Sequence, residues 1–260
     1  MNLPKKSLGQ NFLIDKNITK KIIKLSNIEN KHVVEIGPGK GSLTDEILTQ
    51  KPKSLIIIEK DQELANYLKE KYNKIKKVKV FNNDILKFNI EKITKKNSII
   101  FGNLPYNISS QILVKIIKFK KWPPNFLSLI FMFQKELGDK IIAPNNSKNY
   151  GRLSILTSLR LFVVEKFLVS ANCFRPRPKV MSMVIYFRPK RKSKKIKNIS
   201  NLEKITNIFF SNKRKMIKKN IKKILNNENI KKISGLNLYA RPSELSQETY
   251  YKITQLYEND

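Results

Sequence analysis

Four short segments carry residues whose types and spacing suit chemistry on a nucleoside. Glu35-Ile36-Gly37-Pro38-Gly39-Lys40-Gly41 closes an apolar run with three glycines, where a ligand can lie against main chain that carries no Cβ. Glu59, about 20 residues on, can accept both hydroxyls of a ribose, and Asn83-Asp84 offers a carboxylate to an adenine amino group. The glycine register is G-x-G-x-G with Ser42 following, rather than the G-x-G-x-x-G of dinucleotide folds. Together the three elements suit a compact nucleoside such as S-adenosylmethionine. The fourth segment is Phe101-Gly102-Asn103-Leu104-Pro105-Tyr106-Asn107. A nucleobase amine is a poor nucleophile because its lone pair is delocalised into the ring. The side-chain oxygen of Asn103 and a main-chain carbonyl beside Pro105 can accept from that NH2 and turn its lone pair toward a methyl donor. Tyr106 offers a face for stacking. No strong base is then required, since placement of the two reacting atoms can supply much of the barrier reduction.

These segments need a scaffold that brings them to one edge. His32–Ile36, Ser54–Glu59, Val78–Phe81, Ser98–Asn103 and Leu127–Phe133 read as strands. Ser42–Gln50, Gln62–Tyr72 and Ser109–Phe119 read as helices, the first opened by a Ser42/Asp45 capping box. Leu55-Ile56-Ile57-Ile58 is apolar on both faces, as in a parallel sheet covered by helices on each side. The pattern predicts an open, mostly parallel, doubly wound α/β domain, whose ligands bind at the carboxyl ends of its strands. Leu161–Val169 and Val180–Phe187 flank the loop Phe174-Arg175-Pro176-Arg177-Pro178, short enough for an antiparallel return at the sheet edge.

Composition narrows the classes. With 53 Lys+Arg against 20 Asp+Glu the net charge is +33, while 40% hydrophobic residues imply a folded chain, so a polyanion is the expected partner. Lys, Asn and Ile are all abundant, a pattern that A/T-rich codon usage would also produce, so clustering of bases is better evidence than their number. One Cys and one His exclude a Cys/His zinc site and a disulfide framework. No apolar run approaches a membrane span and the first residues lack a secretory core, so a cytoplasmic protein is expected. The composition turns polar and charged around Arg188–Lys195, predicting a methylase-type domain over 1–188, a basic linker over 189–199 and a small all-helical domain over 200–260. In Lys213–Leu225 the residues Ile217, Ile221, Ile224 and Leu225 share one helical face and Lys215, Lys218, Lys219 and Lys222 the other, a candidate phosphate track.

At this point the chain resembles the ribosomal RNA adenine N6,N6-dimethyltransferase family, in the branch that acts on small-subunit (16S) ribosomal RNA. The resemblance rests on Leu8-Gly9-Gln10-Asn11-Phe12-Leu13, Glu35–Thr44, Glu59, Asp84, Gly102–Ser110, Phe174–Ser182, Lys213-Arg214-Lys215 and Arg241-Pro242. It implies a Rossmann-like methyltransferase domain using S-adenosyl-L-methionine and no metal. Asn11 and Leu13 would contact the cofactor, Gly37 its methionine part, Glu59 the ribose and Asp84 the adenine. Asn103 would face both cofactor and target amine, with Leu104, Pro105 and Tyr106 completing the catalytic loop and Phe174 a second stacking face. Lys179, Lys213, Arg214, Lys215, Lys218, Lys219 and Lys222 would touch RNA. The family motif usually reads Arg-Arg-Lys where this chain has Lys213-Arg214-Lys215, so one bidentate phosphate fork is lost. Residues 1–30, including Lys5, Lys6 and Gln10, would form a flap and helix over the cofactor. The implied reaction is dimethylation of two adjacent adenosines in a hairpin near the RNA 3′ end, by a monomer, late in assembly of the small-subunit particle (pre-30S).

Three rivals share part of this evidence. A large-subunit (23S) adenine N6-methylase would carry the same catalytic loop, although Arg241–Thr249 favours the small-subunit branch. A cytosine-C5 methylase would need Cys173 as nucleophile, with no histidine near it in sequence. A non-enzymatic assembly factor would need the charge but not the intact glycine loop.

Overall fold

The β-branched runs build one seven-stranded sheet in the computed structural model, which describes residues 10–191 and 196–259. In chain order the elements begin β1 (Phe12–Leu13), α1 (Lys16–Lys24), β2 (His32–Ile36), α2 (Ser42–Thr49), β3 (Ser54–Glu59), α3 (Gln62–Lys71) and β4 (Val78–Asn82). They continue α4 (Ile90–Ile93), β5 (Ser98–Asn103), α5 (Ser109–Ile117), β6 (Phe126–Gln134), α6 (Lys135–Ile141) and α7 (Arg152–Arg160). The rest are β7 (Leu161–Val169), β8 (Phe174–Arg175), β9 (Ser182–Pro189), α8 (Ile199–Phe210), α9 (Lys218–Ile221), α10 (Asn227–Lys231) and α11 (Gln247–Tyr257). The sheet order is β4-β3-β2-β5-β6-β9-β7. The β2–β3, β3–β4, β2–β5 and β5–β6 pairs are parallel, and β6–β9 is antiparallel. β2 therefore has β3 on one side and β5 on the other, and a crevice opens at their carboxyl ends where the strand order reverses. The doubly wound α/β architecture read from the sequence is the one found.

Two local expectations are corrected. Ser42 and Asp45 do not form a capping box: α2 is preceded by Gly41 at φ 88° with no side-chain cap. Ser42 Oγ instead donates to the Leu13 carbonyl (2.6 Å), and Asp45 accepts from Tyr72 Oη and Lys71 Nζ, both at 2.7 Å. The loop before β9 is not wholly irregular either, since Phe174 and Arg175 pair antiparallel with Leu13 and Phe12.

The described chain divides into two compact units. One covers the chain to Gly138 together with Val163–Pro189, and the other Asp139–Phe162 together with the chain from Lys190. The expected 1–188 domain thus gives up residues 139–162 to the helical unit. The reason is packing within that unit: Tyr251 Oη donates to the Ile155 carbonyl (2.9 Å) and meets Ser158 Oγ at 2.7 Å, while the Tyr150 and Phe210 rings stand edge to face. Part of the predicted basic linker, Lys192–Lys195, lies outside the described residues.

In the helical unit, Lys213–Leu225 is not one continuous helix. Only α9, four residues long, is helical, because the Ile217 and Lys218 amides donate to the carbonyls of Ala240 and Leu238 rather than opening a longer helix. The two predicted faces survive as turns. Ile217, Ile221, Ile224 and Leu225 are buried, and Lys215, Lys218, Lys219 and Lys222 are exposed.

Candidate active site

At the carboxyl edge of β2, β3, β4 and β5 lies a cleft, the position at which open α/β sheets bind their ligands. Ile36, Ile58, Leu64, Ile85 and Ile108 give it apolar walls, while Glu59, Asp84, Asn103 and Tyr106 give it polar ends. Gly37, Leu104 and Pro105 also line it, as do Gln10 and Asn11 from the segment before β1.

The glycine loop is held from two sides. Gly37 (φ 68°) donates its N–H to the Ile58 carbonyl at 3.0 Å, and a Cβ there would stand 3.2 Å from the main-chain oxygen of Asn103. Gly39 (φ 59°) lies under the Phe12 ring, where a Cβ would come within 2.7 Å of Cδ1. A left-handed conformation and a ring in contact leave glycine as the unstrained choice. Phe12 lies in β1, whose partner is β8, so a short strap crosses the loop. Leu13, predicted to touch the cofactor, is buried in the hydrophobic core and meets the loop region through its carbonyl, which accepts from Ser42. Leu8 and Gly9 of the same motif, with Lys5 and Lys6 of the flap, lie outside the described residues.

Three carboxyl groups differ in state because their surroundings differ. Burial pushes Glu59 above the ordinary carboxylate range, opposed by amides of Asp61, Gly39 and Lys60 that favour its anion. The Asp61 amide reaches Oε1 at 2.9 Å. Asp84 goes the other way: Lys60 Nζ, 2.9 Å from Oδ2, holds it below its ordinary value, helped by the Leu86 amide. Glu35, the first residue of the glycine motif, is fully buried and is pushed up to about 8 by that burial. Its Oε2 accepts from Thr44 Oγ1 at 2.6 Å, and Oε1 has no hydrogen-bonding partner among the described residues. Near neutrality Glu35 is therefore chiefly the neutral acid.

After β5, Asn103 donates from Nδ2 to the Asn11 carbonyl at 3.2 Å. The amide nitrogen is thereby committed to the strap, which leaves Oδ1 as the end able to accept from a ligand. Leu104 is 1% exposed and fills the space above Gly102, where a Cβ would lie 2.5 Å from Leu104 Cδ2. Tyr106 Oη is 2.6 Å from Ser182 Oγ at the start of β9, which anchors the far end of its ring. Burial raises the Tyr106 phenol, so it stays neutral. Phe174 departs from expectation. Its ring is 2% exposed, packs in the core with Leu13 and Val169, and does not line the cleft. Pairing of β8 with β1 turns that side chain inward, so in this state it supports the strap rather than presenting a stacking face.

The predicted RNA contacts divide similarly. Lys179, Arg214, Lys215, Lys218, Lys219 and Lys222 are exposed. Lys213 is half-buried, and its Nζ donates to the carbonyls of Lys148 (2.8 Å) and Tyr150 (3.1 Å), an internal role that a lysine fills without a guanidinium fork. Cys173 sits 3.7 Å from Asp15 Oδ2, and burial together with that carboxylate raises its thiol, the opposite of what a nucleophile needs. His32 opens β2, at the end of the strand away from the cleft, bonded to Ser54 Oγ at 2.7 Å. Among the described residues no His, Cys, Asp or Glu cluster is arranged to hold a metal ion.

Sequence reasoning gave no role to Ser182, Phe12 or Lys60, which hold Tyr106, the glycine loop and Asp84. Phe12 and Ser182 stand inside segments that carried the resemblance, so their position was the available signal. Lys60 follows Glu59 directly, and nothing in the sequence pairs it with a residue 24 positions on.

Known proteins match this chain over nearly its whole length. The family model described as ribosomal RNA adenine dimethylase matches residues 1–259. A ribosomal RNA small subunit methyltransferase A of Pelagibacter ubique is 46% identical, covering 98% of this chain and 97% of its own length. One from a Wolbachia of Drosophila simulans is 40% identical, covering 95% and 91%. Among solved structures, a dimethyladenosine transferase from Plasmodium falciparum superposes with a TM-score of 0.78 at 25% identity, covering 95% of this chain and 98% of that one. The 23S rRNA methyltransferase ErmE shares the fold, with a TM-score of 0.68 at 22% identity, covering 95% and 99%.

Proposed function

This chain belongs to the ribosomal RNA adenine dimethylase family, and from that membership we propose that it dimethylates N6 of two adjacent adenosines in a hairpin loop near the 3′ end of small-subunit ribosomal RNA. The donor is S-adenosyl-L-methionine. When bound, it supplies a sulfonium methyl whose C–S bond breaks as the adenine amine forms the new C–N bond and then releases a proton to solvent. The cleft fits this group by its chemistry: apolar walls for a purine, Glu59 for the ribose hydroxyls, Asp84 for the adenine amine and a glycine loop for the methionine part.

The observation that carries the reading is the commitment of Asn103 Nδ2 to Asn11. With the nitrogen held, Oδ1 accepts one N6–H of the target adenine, and the Leu104 carbonyl, preceding Pro105, accepts the other. The lone pair of N6 is then directed along the line of displacement, and Tyr106 stacks on the purine. Each methylation replaces one N–H, so the second transfer proceeds with a single acceptor in use.

The exposed bases of the helical unit hold the phosphate backbone, and the preferred substrate is the partly assembled small-subunit particle late in its maturation, met by a monomer in the cytoplasm. Among the described residues no helix is long and apolar enough to cross a membrane. The test is incubation of small subunits lacking the modification with labelled methyl donor, followed by mapping of the methylated bases. Label on two neighbouring adenosines of the small-subunit RNA is the expected result. Label on large-subunit RNA, or on none, overturns the reading.

A further inference from the structure

Among the described residues of the helical unit, the most exposed large hydrophobic side chain is Tyr239, at 65%. Its backbone is not loose. The Tyr239 amide donates to Asn237 Oδ1 at 2.9 Å, and the flanking Leu238 and Ala240 carbonyls accept from Lys218 and Ile217 at 3.0 and 2.9 Å. The loop is thus pinned to the segment that carries the lysine cluster. Lys218 Nζ lies 5.3 Å from the centroid of the Tyr239 ring, covering one face with a cation. Met216, 56% exposed, belongs to the same segment, as do the exposed Arg214, Lys215 and Lys219. Between residues 211 and 245 there are ten Lys or Arg and two Glu.

An aromatic ring held by a pinned loop, backed by a cation on one face and open on the other, costs little further ordering when a second flat ring is laid upon it. A surface so basic repels cationic partners and favours a phosphate-bearing one. We propose that Tyr239 is a stacking platform for an unpaired base of RNA, its phosphates held by the neighbouring Lys218, Lys219 and Arg214. Duplex RNA keeps its bases stacked internally and offers no free face, so the platform distinguishes a loop or bulge from a helix. The proposal rests on the RNA-directed function above and adds to it a second point of contact, separate from the cleft that takes the target adenine.

The test uses the full chain, a short single-stranded oligoadenylate and a fully paired RNA of equal length. Tyr239→Ala is expected to weaken single-strand binding about 5- to 100-fold and to leave duplex binding and the salt slope unchanged, because stacking releases no counterions. Tyr239→Phe should bind as the parent does. In a Trp122→Phe background, Tyr239→Trp should show fluorescence quenched by the single strand and not by the duplex. A Tyr239→Ala protein that binds the single strand like the parent, or a Trp at 239 that stays bright while RNA is bound, overturns the platform and leaves the RNA function standing. A parent chain that binds neither RNA overturns both.

Discussion

Asn103 and Asn11, 92 positions apart, are joined by a hydrogen bond from the Asn103 amide nitrogen to the Asn11 carbonyl. The bond does more than brace a loop. An asparagine amide can present either end, and this contact selects which one, so a main-chain group of the strap sets the polarity of the side chain proposed to hold the target amine. Asn103→Ala is expected to lower methyl transfer by about 100-fold or more with RNA affinity retained. Asn103→Asp should also lose activity, because a carboxylate facing the Asn11 carbonyl has no hydrogen to give. Single-turnover methylation beside a filter-binding assay checks both, and parallel loss of RNA binding would show that the residue acts only on folding.

Gly39 lies beneath Phe12. Adding a methyl there forces the ring away and places alanine at a positive φ, at a cost of about 1–2 kcal/mol, so Gly39→Ala should weaken cofactor binding roughly 10-fold by calorimetry. Gly39→Ala with Phe12→Ala removes the clash but not the strained backbone, and should recover part of the loss. A double variant no better than the single one would mean the ring contact is incidental.

The ribose contact proposed for Glu59 would give cofactor binding a pH dependence whose sign can be worked out. Burial holds its free-state pKa above the ordinary carboxylate value, and two ribose hydroxyls donating to the carboxylate would stabilise the anion and lower that pKa in the complex. The complex then binds fewer protons than the free protein. Affinity should rise with pH through the free-state pKa and fall on acidification, and Glu59→Gln should be weaker and flat over that range. Calorimetric titration across mildly acidic to neutral pH measures this. Glu35→Gln is the control, since Glu35 is the other nearby carboxyl held above its ordinary value.

Glu35 should be visible in stability rather than in binding. Its folded-state pKa is pushed up to about 8 from 4.5. Between those values the unfolded chain carries the charge and the folded one does not, so unfolding releases a proton. The stabilising contribution is complete below the lower value and is lost as pH rises, by at most about 1.4 kcal/mol per pH unit. Glu35→Gln should flatten that decline in thermal unfolding measured from pH 5 to 9. An unchanged slope would show that Glu35 is ionised in the fold.

How much of this was readable in the sequence depends on where a residue's partners lie. β3 was placed to the residue because Leu55-Ile56-Ile57-Ile58 reports burial on both faces, and the order of strand-end residues followed from the α/β pattern. The Ser42/Asp45 capping box failed because its supposed partners were local, whereas the structure gives Ser42 to Leu13 and Asp45 to Tyr72 and Lys71. Periodicity in Lys213–Leu225 reported which side chains are buried, correctly, but it contains no information on main-chain bonds to Ala240 and Leu238, and these break the helix. The burial of Phe174 follows from the pairing of two residues with Leu13 and Phe12, a long-range contact with no local sequence signal.

The basic residues of the helical unit separate into two kinds that charge alone does not distinguish, and salt dependence tells them apart. Lys215, Lys218, Lys219 and Lys222 are exposed, and each phosphate they neutralise releases condensed counterions. Removing all four should therefore lower the slope of log affinity against log salt by up to about 3 for single-stranded RNA. Lys213 spends its ammonium on the carbonyls of Lys148 and Tyr150, which lie in its own unit and would otherwise lack that donor. Lys213→Ala should therefore leave the salt slope nearly unchanged while lowering the melting temperature, a surface substitution that behaves as a core one. Lys213→Arg should restore stability if its longer fork reaches the same two oxygens. A salt slope that falls as much for Lys213→Ala as for any single exposed lysine would return Lys213 to the RNA-facing set.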